Sequence, residues 1–218
     1  MTPKKILRRP QPGTDPAWGQ DLPPLLRRLY AARGVTSDEQ LKYTLKELAS
    51  PFQLRGIGLA VELLAEAIAR NQRVLVLGDF DADGATSTAV AMLGLSMLGL
   101  KSIDFRVPSR FSDGYGLTPG IIERLQDEGD LPDLMVTVDN GISAVEGVHA
   151  AKKLGIKVVV TDHHLAGETL PDADAIVNPN QPGCDFPSKN IAGVGVIFYL
   201  MLALRAELRT RGAFQPPA

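Results

Sequence analysis

One cysteine stands among the 218 residues. A lone thiol, Cys184, excludes an intramolecular disulfide framework and fits a reducing cytoplasm. The net charge is only −2. The molecule as a whole is therefore no electrostatic magnet for nucleic acid, and binding DNA or RNA requires a local basic groove. No apolar run approaches the ~20 residues of a membrane span, so no membrane partner is expected. Lys4, Lys5, Arg8 and Arg9 have no apolar segment behind them, so no secretory signal is expected. Internal repeats and low-complexity tracts are absent. A hydroxyl or thiol nucleophile is also missing: Ser87 and Thr88 have no base near them in sequence.

What the chain does have is three clusters of acidic or histidine residues, each behind a short apolar run. Val74–Leu77 leads through Gly78 into Asp79-Phe80-Asp81-Ala82-Asp83-Gly84. Leu134–Val138 leads into Asp139-Asn140-Gly141, and Val158–Thr161 into Asp162-His163-His164. Each run reads as a buried parallel strand. Strands are predicted at 73–78, 103–107, 133–138, 157–161 and 175–177, and helices at about 84–98, 118–128, 143–154 and 191–209. The alternation predicts an α/β fold, a doubly wound, mainly parallel sheet of about five strands with helices on both faces. Ahead of it, residues 1–70 read as an amino-terminal arm and helical lead-in. A short helical stretch should end near Tyr30. A further helix should run from Ser37, a capping residue with Gln40 at the capping-box position, to about Leu48. Residues 71–218 form the second region.

In such a sheet the carboxyl ends of the strands line the ligand crevice. Five Asp and two His would converge there, and so many carboxylates cannot stay ionised together without cations. A calcium loop is excluded, because its twelfth position, counted from Asp79, is Val90 and not an acid. Alternate residues of an extended segment point the same way, so Asp79, Asp81 and Asp83 can share a face; the plainer reading is helix capping. Asp-Asn-Gly on its own is a common turn. Asp162, His163 and His164 offer imidazoles and an orienting carboxylate, which suits Mn, Fe or Zn. The mixed set points to a two-metal hydrolase. Beyond the second strand, Arg110 is placed to fork onto a phosphate, while Phe111 and Tyr115 are placed to stack on a base. Asn178-Pro179-Asn180 and the glycines of Gly193-Val194-Gly195 are weaker candidates for substrate handling. His149 and Cys184 are given no role.

These residues resemble the DHH phosphoesterase superfamily. The resemblance rests on Gly78–Gly84, Arg110–Gly116, Val138–Gly141 and Asp162–His164. Leu22–Tyr30, Asn178–Asn180, Phe186–Lys189 and Ala192–Val196 extend it. It covers nearly the whole chain and is nearest to the branch of single-strand-specific 5′→3′ DNA exonucleases. The resemblance implies a centre of two Mn2+ or Mg2+ ions held by Asp81, Asp83, Asp139, His163 and His164, with Asp79 and Asp162 as direct or supporting partners. It implies substrate contacts at Arg110, Tyr115 and Asn178, and single-stranded DNA as substrate in repair and recombination. It also implies a single-strand-binding protein or helicase as partner, and a cytoplasmic setting. Members of that branch continue past this point with another metal-ligand motif and with DHHA1 and OB-type domains, so the chain is expected to be an amino-terminal portion. Two other readings stay open. One is a small-substrate DHH phosphoesterase acting on oligoribonucleotides, phosphoadenosine phosphate or pyrophosphate. The other is a non-catalytic binding module.

Overall fold

The structure is a computed structural model and describes Leu7, residues 17–109, Phe111 and residues 113–214. Two compact units result, Met1–Leu48 and Ala49–Ala218. The division falls at 48/49 and not at 70/71, because the helix before the first strand packs with the sheet's own helices.

In the first unit, α1 (Pro24–Ala31) starts with proline and buries none of its residues. The helix expected over 37–48 is instead two 3-10 turns, Asp38–Leu41 and Leu45–Glu47. Ser37 makes no side-chain cap there. Gln40 reaches back beyond the cap position and accepts from the Thr36 amide at 2.7 Å. Tyr43 and Leu45 are both at least 80 % exposed. An isolated short helix has little stability without a buried face, so packing never selects one here.

In the second unit, α2 (Ile57–Arg70) precedes the sheet. The strands β1 (Val74–Leu77), β2 (Ile103–Arg106), β3 (Leu134–Val138), β4 (Lys157–Thr161) and β5 (Ala175–Val177) are all parallel, in the order β2-β1-β3-β4-β5. Between them lie α3 (Ala82–Met97), α4 (Pro119–Asp127) and α5 (Val145–Lys153), and α6 (Gly193–Thr210) follows. The expected doubly wound α/β sheet is present. Side chains alternate along the central strands. Val74, Val76, Val136, Val138 and Val159 pack with α2, α3 and α6, whereas Leu75, Leu77, Met135, Val158 and Val160 pack with α4 and α5. That alternation explains why β1 is apolar without a break and β3 is interrupted only by Thr137: both faces are covered. It also explains α6, whose apolar sides meet α2, α3 and the strands beneath.

The topology positions the site. From β1 the chain steps outward to β2, then returns past β1 to β3, so strand direction of travel reverses between β1 and β3. Ligands of open parallel sheets bind outside the carboxyl ends at such a point. Asp79 follows β1 and Asp139 follows β3.

Candidate metal centre

Asp79 is buried, and its Oδ1 accepts from the Phe80 amide at 2.7 Å. Asp81 caps α3, accepting from the Gly84 amide at 2.9 Å. Gly84 has to be small, since a Cβ there would come 2.5 Å from the Asp79 backbone. Asp83 turns the other way. Its two oxygens accept from the Gly193 and Val194 amides, each at 2.8 Å, so it caps the amino end of α6 across the molecule. Each carboxylate oxygen retains lone-pair capacity beyond one such bond.

Asp139 is 2 % exposed and has the left-handed φ of 61°, uncommon for any residue but glycine. Its Oδ1 lies 3.1 Å from His163 Nε2 yet accepts no aligned hydrogen bond. Gly193 crosses so close that a Cβ would sit 2.3 Å from that oxygen. Burial, reinforced by the charges of Asp83 and Asp81, pushes the Asp139 carboxyl up to about 7. His163 Nε2 is also 3.6 Å from Asp83 Oδ2.

The third cluster is braced from below. Asp162 is buried and accepts from the Ile142 amide at 2.9 Å, from the His163 amide and from the His164 amide. Its Oδ1 meets His164 Nδ1 at 2.7 Å. Burial alone raises Asp162, but the bonds from His164 and the Ile142 amide outweigh it and hold the carboxyl below its ordinary value. The same bond, opposed by burial, raises His164 to about 9.

Two groups of side chains offer ligand atoms within 4.8 Å of one another: Asp79, Asp81 and Asp139, and Asp139, His163 and His164. Asp139 belongs to both. A buried carboxylate oxygen without a donor, facing two imidazoles and two further carboxylates, is what a hard or borderline divalent cation satisfies. The residues present fit such ions.

Tyr115 is half-exposed, and its ring meets Phe80 and His164 edge-on. Burial, then the charges of Asp79, Asp162 and Asp139, raises its phenol. It stands at a cavity of about 620 Å³, lined also by Gly116, Thr118, Ser143, Asp162 and His164. Phe111 is almost fully exposed. Arg110 lies outside the described residues. Asn178 is fully buried; its Nδ2 donates to the His164 carbonyl at 3.0 Å and its Oδ1 accepts from the Asn180 amide at 2.7 Å. Both ends of that amide thus have protein partners. Asn180 donates to the His163 carbonyl. The Asn178-Pro179-Asn180 and Gly193-Val194-Gly195 runs, expected as weak substrate-handling candidates, instead brace the site: Asn180 holds the His163 carbonyl, and the Gly193 and Val194 amides hold Asp83.

The model of the DHH family, N-terminal domain, matches residues 73–215. The chain belongs to the DHH family. It is 54% identical over 98% of its length to the single-stranded-DNA-specific exonuclease RecJ of Salmonella typhimurium, covering 37% of that protein. It is 40% identical over 85% of its length to the RecJ of Bacillus subtilis, covering 24% of it. The chain thus spans about a third of the length of the curated relatives it matches most fully. Among solved structures, RecJ from Thermus thermophilus in complex with Mn2+ superposes with a TM-score of 0.67 at 33% identity, over 87% of this chain and 26% of that one. An exonuclease RecJ bound to manganese gives 0.65 at 35% identity, over 78% and 41%.

Proposed function

We propose that this chain is the metal-dependent phosphodiesterase part of a single-strand-specific 5′→3′ DNA exonuclease. The observation that carries the reading is Asp139, a buried carboxylate shared by two ligand groups and left with an oxygen that no donor satisfies. The manganese-bound structures of similar exonucleases support Mn2+, with Mg2+ as the alternative.

Asp79 and Asp81 would hold one ion and His163 and His164 the other, with Asp139 between them and Asp83 beside His163. Two divalent cations supply Lewis-acid polarisation of the phosphodiester and a lowered pKa for the attacking water. The chain's own residues would keep such ions in place. Asp162 orients the His164 ring through Nδ1, and the α6 amides aim Asp83. Tyr115 and Phe111 offer aromatic faces to a terminal base, and Arg110 a cation to its phosphate. With a net charge of −2, the chain attracts phosphates only locally. Repair and recombination are the setting, in the cytoplasm, with a single-strand-binding protein or helicase as partner. No helix among the described residues is long and apolar enough to cross a membrane.

The test is a manganese titration with three substrates: 5′-labelled single-stranded DNA, nucleotide dimers and pyrophosphate. Release of mononucleotides from the 5′ end supports the proposal. Cleavage of only the small substrates reassigns the chain to the small-substrate enzymes. Manganese binding with no hydrolysis makes it a binding module.

A further inference from the structure

We infer that Asn140 is a positioning residue that sets the distance between the carboxylates after β1 and the one after β3. The inference rests on the metal-centre reading above. Asn140 is wholly buried. Its Nδ2 donates to the Val138 carbonyl at 2.9 Å and the Leu77 carbonyl at 3.1 Å, with the Gly78 carbonyl 3.3 Å away. Leu77 and Gly78 lead directly into Asp79, and Val138 leads into Asp139. One amide group therefore joins the residues that launch both clusters.

The β1–β3 ladder stops at the pair Leu77 and Thr137. Past that pair the strands have no regular bonds with which to hold their distance, and the Asn140 side chain takes over. Its orientation is unambiguous, because the flipped amide would set oxygen against three carbonyl oxygens. The main chain of Asn140 is fixed as well: Thr137 Oγ1 donates to its carbonyl at 2.8 Å. Between these two restraints Asp139 is held in its left-handed conformation.

The remaining end of the amide argues for position over stability. Asn140 Oδ1 is buried without a donor, and the Gly116 backbone packs close, since a Cβ there would lie 3.3 Å from it. A buried acceptor without a donor is costly. Removing the side chain deletes that cost but also takes a donor from the Val138, Leu77 and Gly78 carbonyls, so the two stability terms partly offset and the spacing of the ligands is where a positioning role should show most. A residue serving only the turn would show the opposite balance.

The experiment uses the full chain and Mn2+ alone. Affinity is read by calorimetry, and magnetic coupling of the ion pair by electron paramagnetic resonance. Wild type, Asn140→Ala, Asn140→Asp and the core control Leu64→Ala are compared. Both Asn140 variants should bind manganese about 10- to 100-fold more weakly and lose the coupled signal at saturation. Leu64→Ala, in α2, should lower the melting temperature at least as much while keeping affinity and coupling. A coupled wild-type pair that survives unchanged in the Asn140 variants overturns this inference alone. A wild type with no coupled pair overturns the metal-centre reading, and this inference falls with it. If neither Asn140 variant shows native near-ultraviolet dichroism, Asn140 is a folding residue and the positioning role is overturned.

Discussion

The clusters after β1 and after β4 face each other across Asp139, and they are held by opposite means. After β1, main-chain amides grip the carboxylates themselves: Phe80 holds Asp79, Gly84 holds Asp81, and Gly193 with Val194 holds Asp83. After β4, Asn180 and Asn178 grip the carbonyls of His163 and His164, and His163 Nε2 faces the carboxylates of Asp139 and Asp83. The acidic loop is thus aimed from its side-chain ends, whereas the histidine loop is held largely from its backbone, with the His164 ring braced in addition by Asp162. Substitutions on the two sides should consequently separate stability from metal affinity in different ways.

The largest effect is expected at the shared residue. Asp139→Ala should abolish hydrolysis and remove most of the thermal stabilisation by manganese, since a ligand stabilises only through affinity for the native state. Metal-free stability should stay level or rise, because a buried carboxylate leaves a like-charged cluster. Thermal shifts with and without Mn2+ check both, and an undiminished manganese shift would count against the shared-ligand reading.

Asp83→Ala should break the comparison from the other side. It removes a carboxylate from the centre but also uncaps α6 at two amides. Metal-free stability should fall by about 1–3 kcal/mol, measurable by urea unfolding. Asp83→Asn, which keeps one acceptor, should recover part of it. A stability change of the same sign as Asp139→Ala would mean the α6 cap carries no weight.

Asn178→Ala leaves the part-buried His164 carbonyl and Asn180 amide without these partners. Stability should drop by roughly 1–2 kcal/mol. Manganese affinity should weaken less than in Asp139→Ala, because the histidine rings survive and only their backbone loosens. Denaturant unfolding paired with calorimetry distinguishes this from a direct ligand role, in which affinity would collapse and stability hold.

The smallest effect is a slope of stability with pH in metal-free protein. Asp139 is raised from an ordinary 3.8 to about 7, so the folded state holds its proton more tightly than the unfolded chain does. That contribution is fully present below 3.8 and is lost as pH rises through about 7. His164, raised from 6.5 to about 9, likewise contributes below 6.5 and loses that contribution as pH rises through about 9. Stability of the metal-free chain should therefore decline across the first window, and Asp139→Asn should flatten that decline, while the His164 window, set first by Asp162, persists but narrows because the Asp139 charge helps to raise His164. Unfolding midpoints measured from pH 4 to 9 check this; an equally steep first window in Asp139→Asn would remove Asp139 as its origin.

The elements themselves were legible. Short, mostly apolar runs that end in Gly or Asp and are followed by helical periodicity mark β1, β3 and β4, and the expected ends of β1 to β5 and α3 to α6 match the structure to within a few residues. Such runs are buried on both faces wherever they fall in a parallel sheet, so local pattern and final environment agree. The 37–48 segment shows the limit. Its capping signal was real, but no apolar face was buried to stabilise a helix, and Gln40 turned to Thr36.

Residue type and the strand-end rule determined that Asp79, Asp81, Asp83, Asp139, His163 and His164 would gather at one end of the sheet, and raised the expectation of cations there. Only the tertiary structure decided how they meet. The order β2-β1-β3-β4-β5 sets Asp139 beside the first cluster. The start of α6 reaches Asp83 across 110 residues, and Asn140 bridges 63 residues to the Leu77 carbonyl. Asn178 and Asn180, which the sequence suggested only as weak substrate-handling candidates, hold the backbone of the histidines. Periodicity reports what a residue does to its own turn or strand. The partner of a buried amide or carboxylate is chosen by whichever distant backbone group the packed sheet leaves without one.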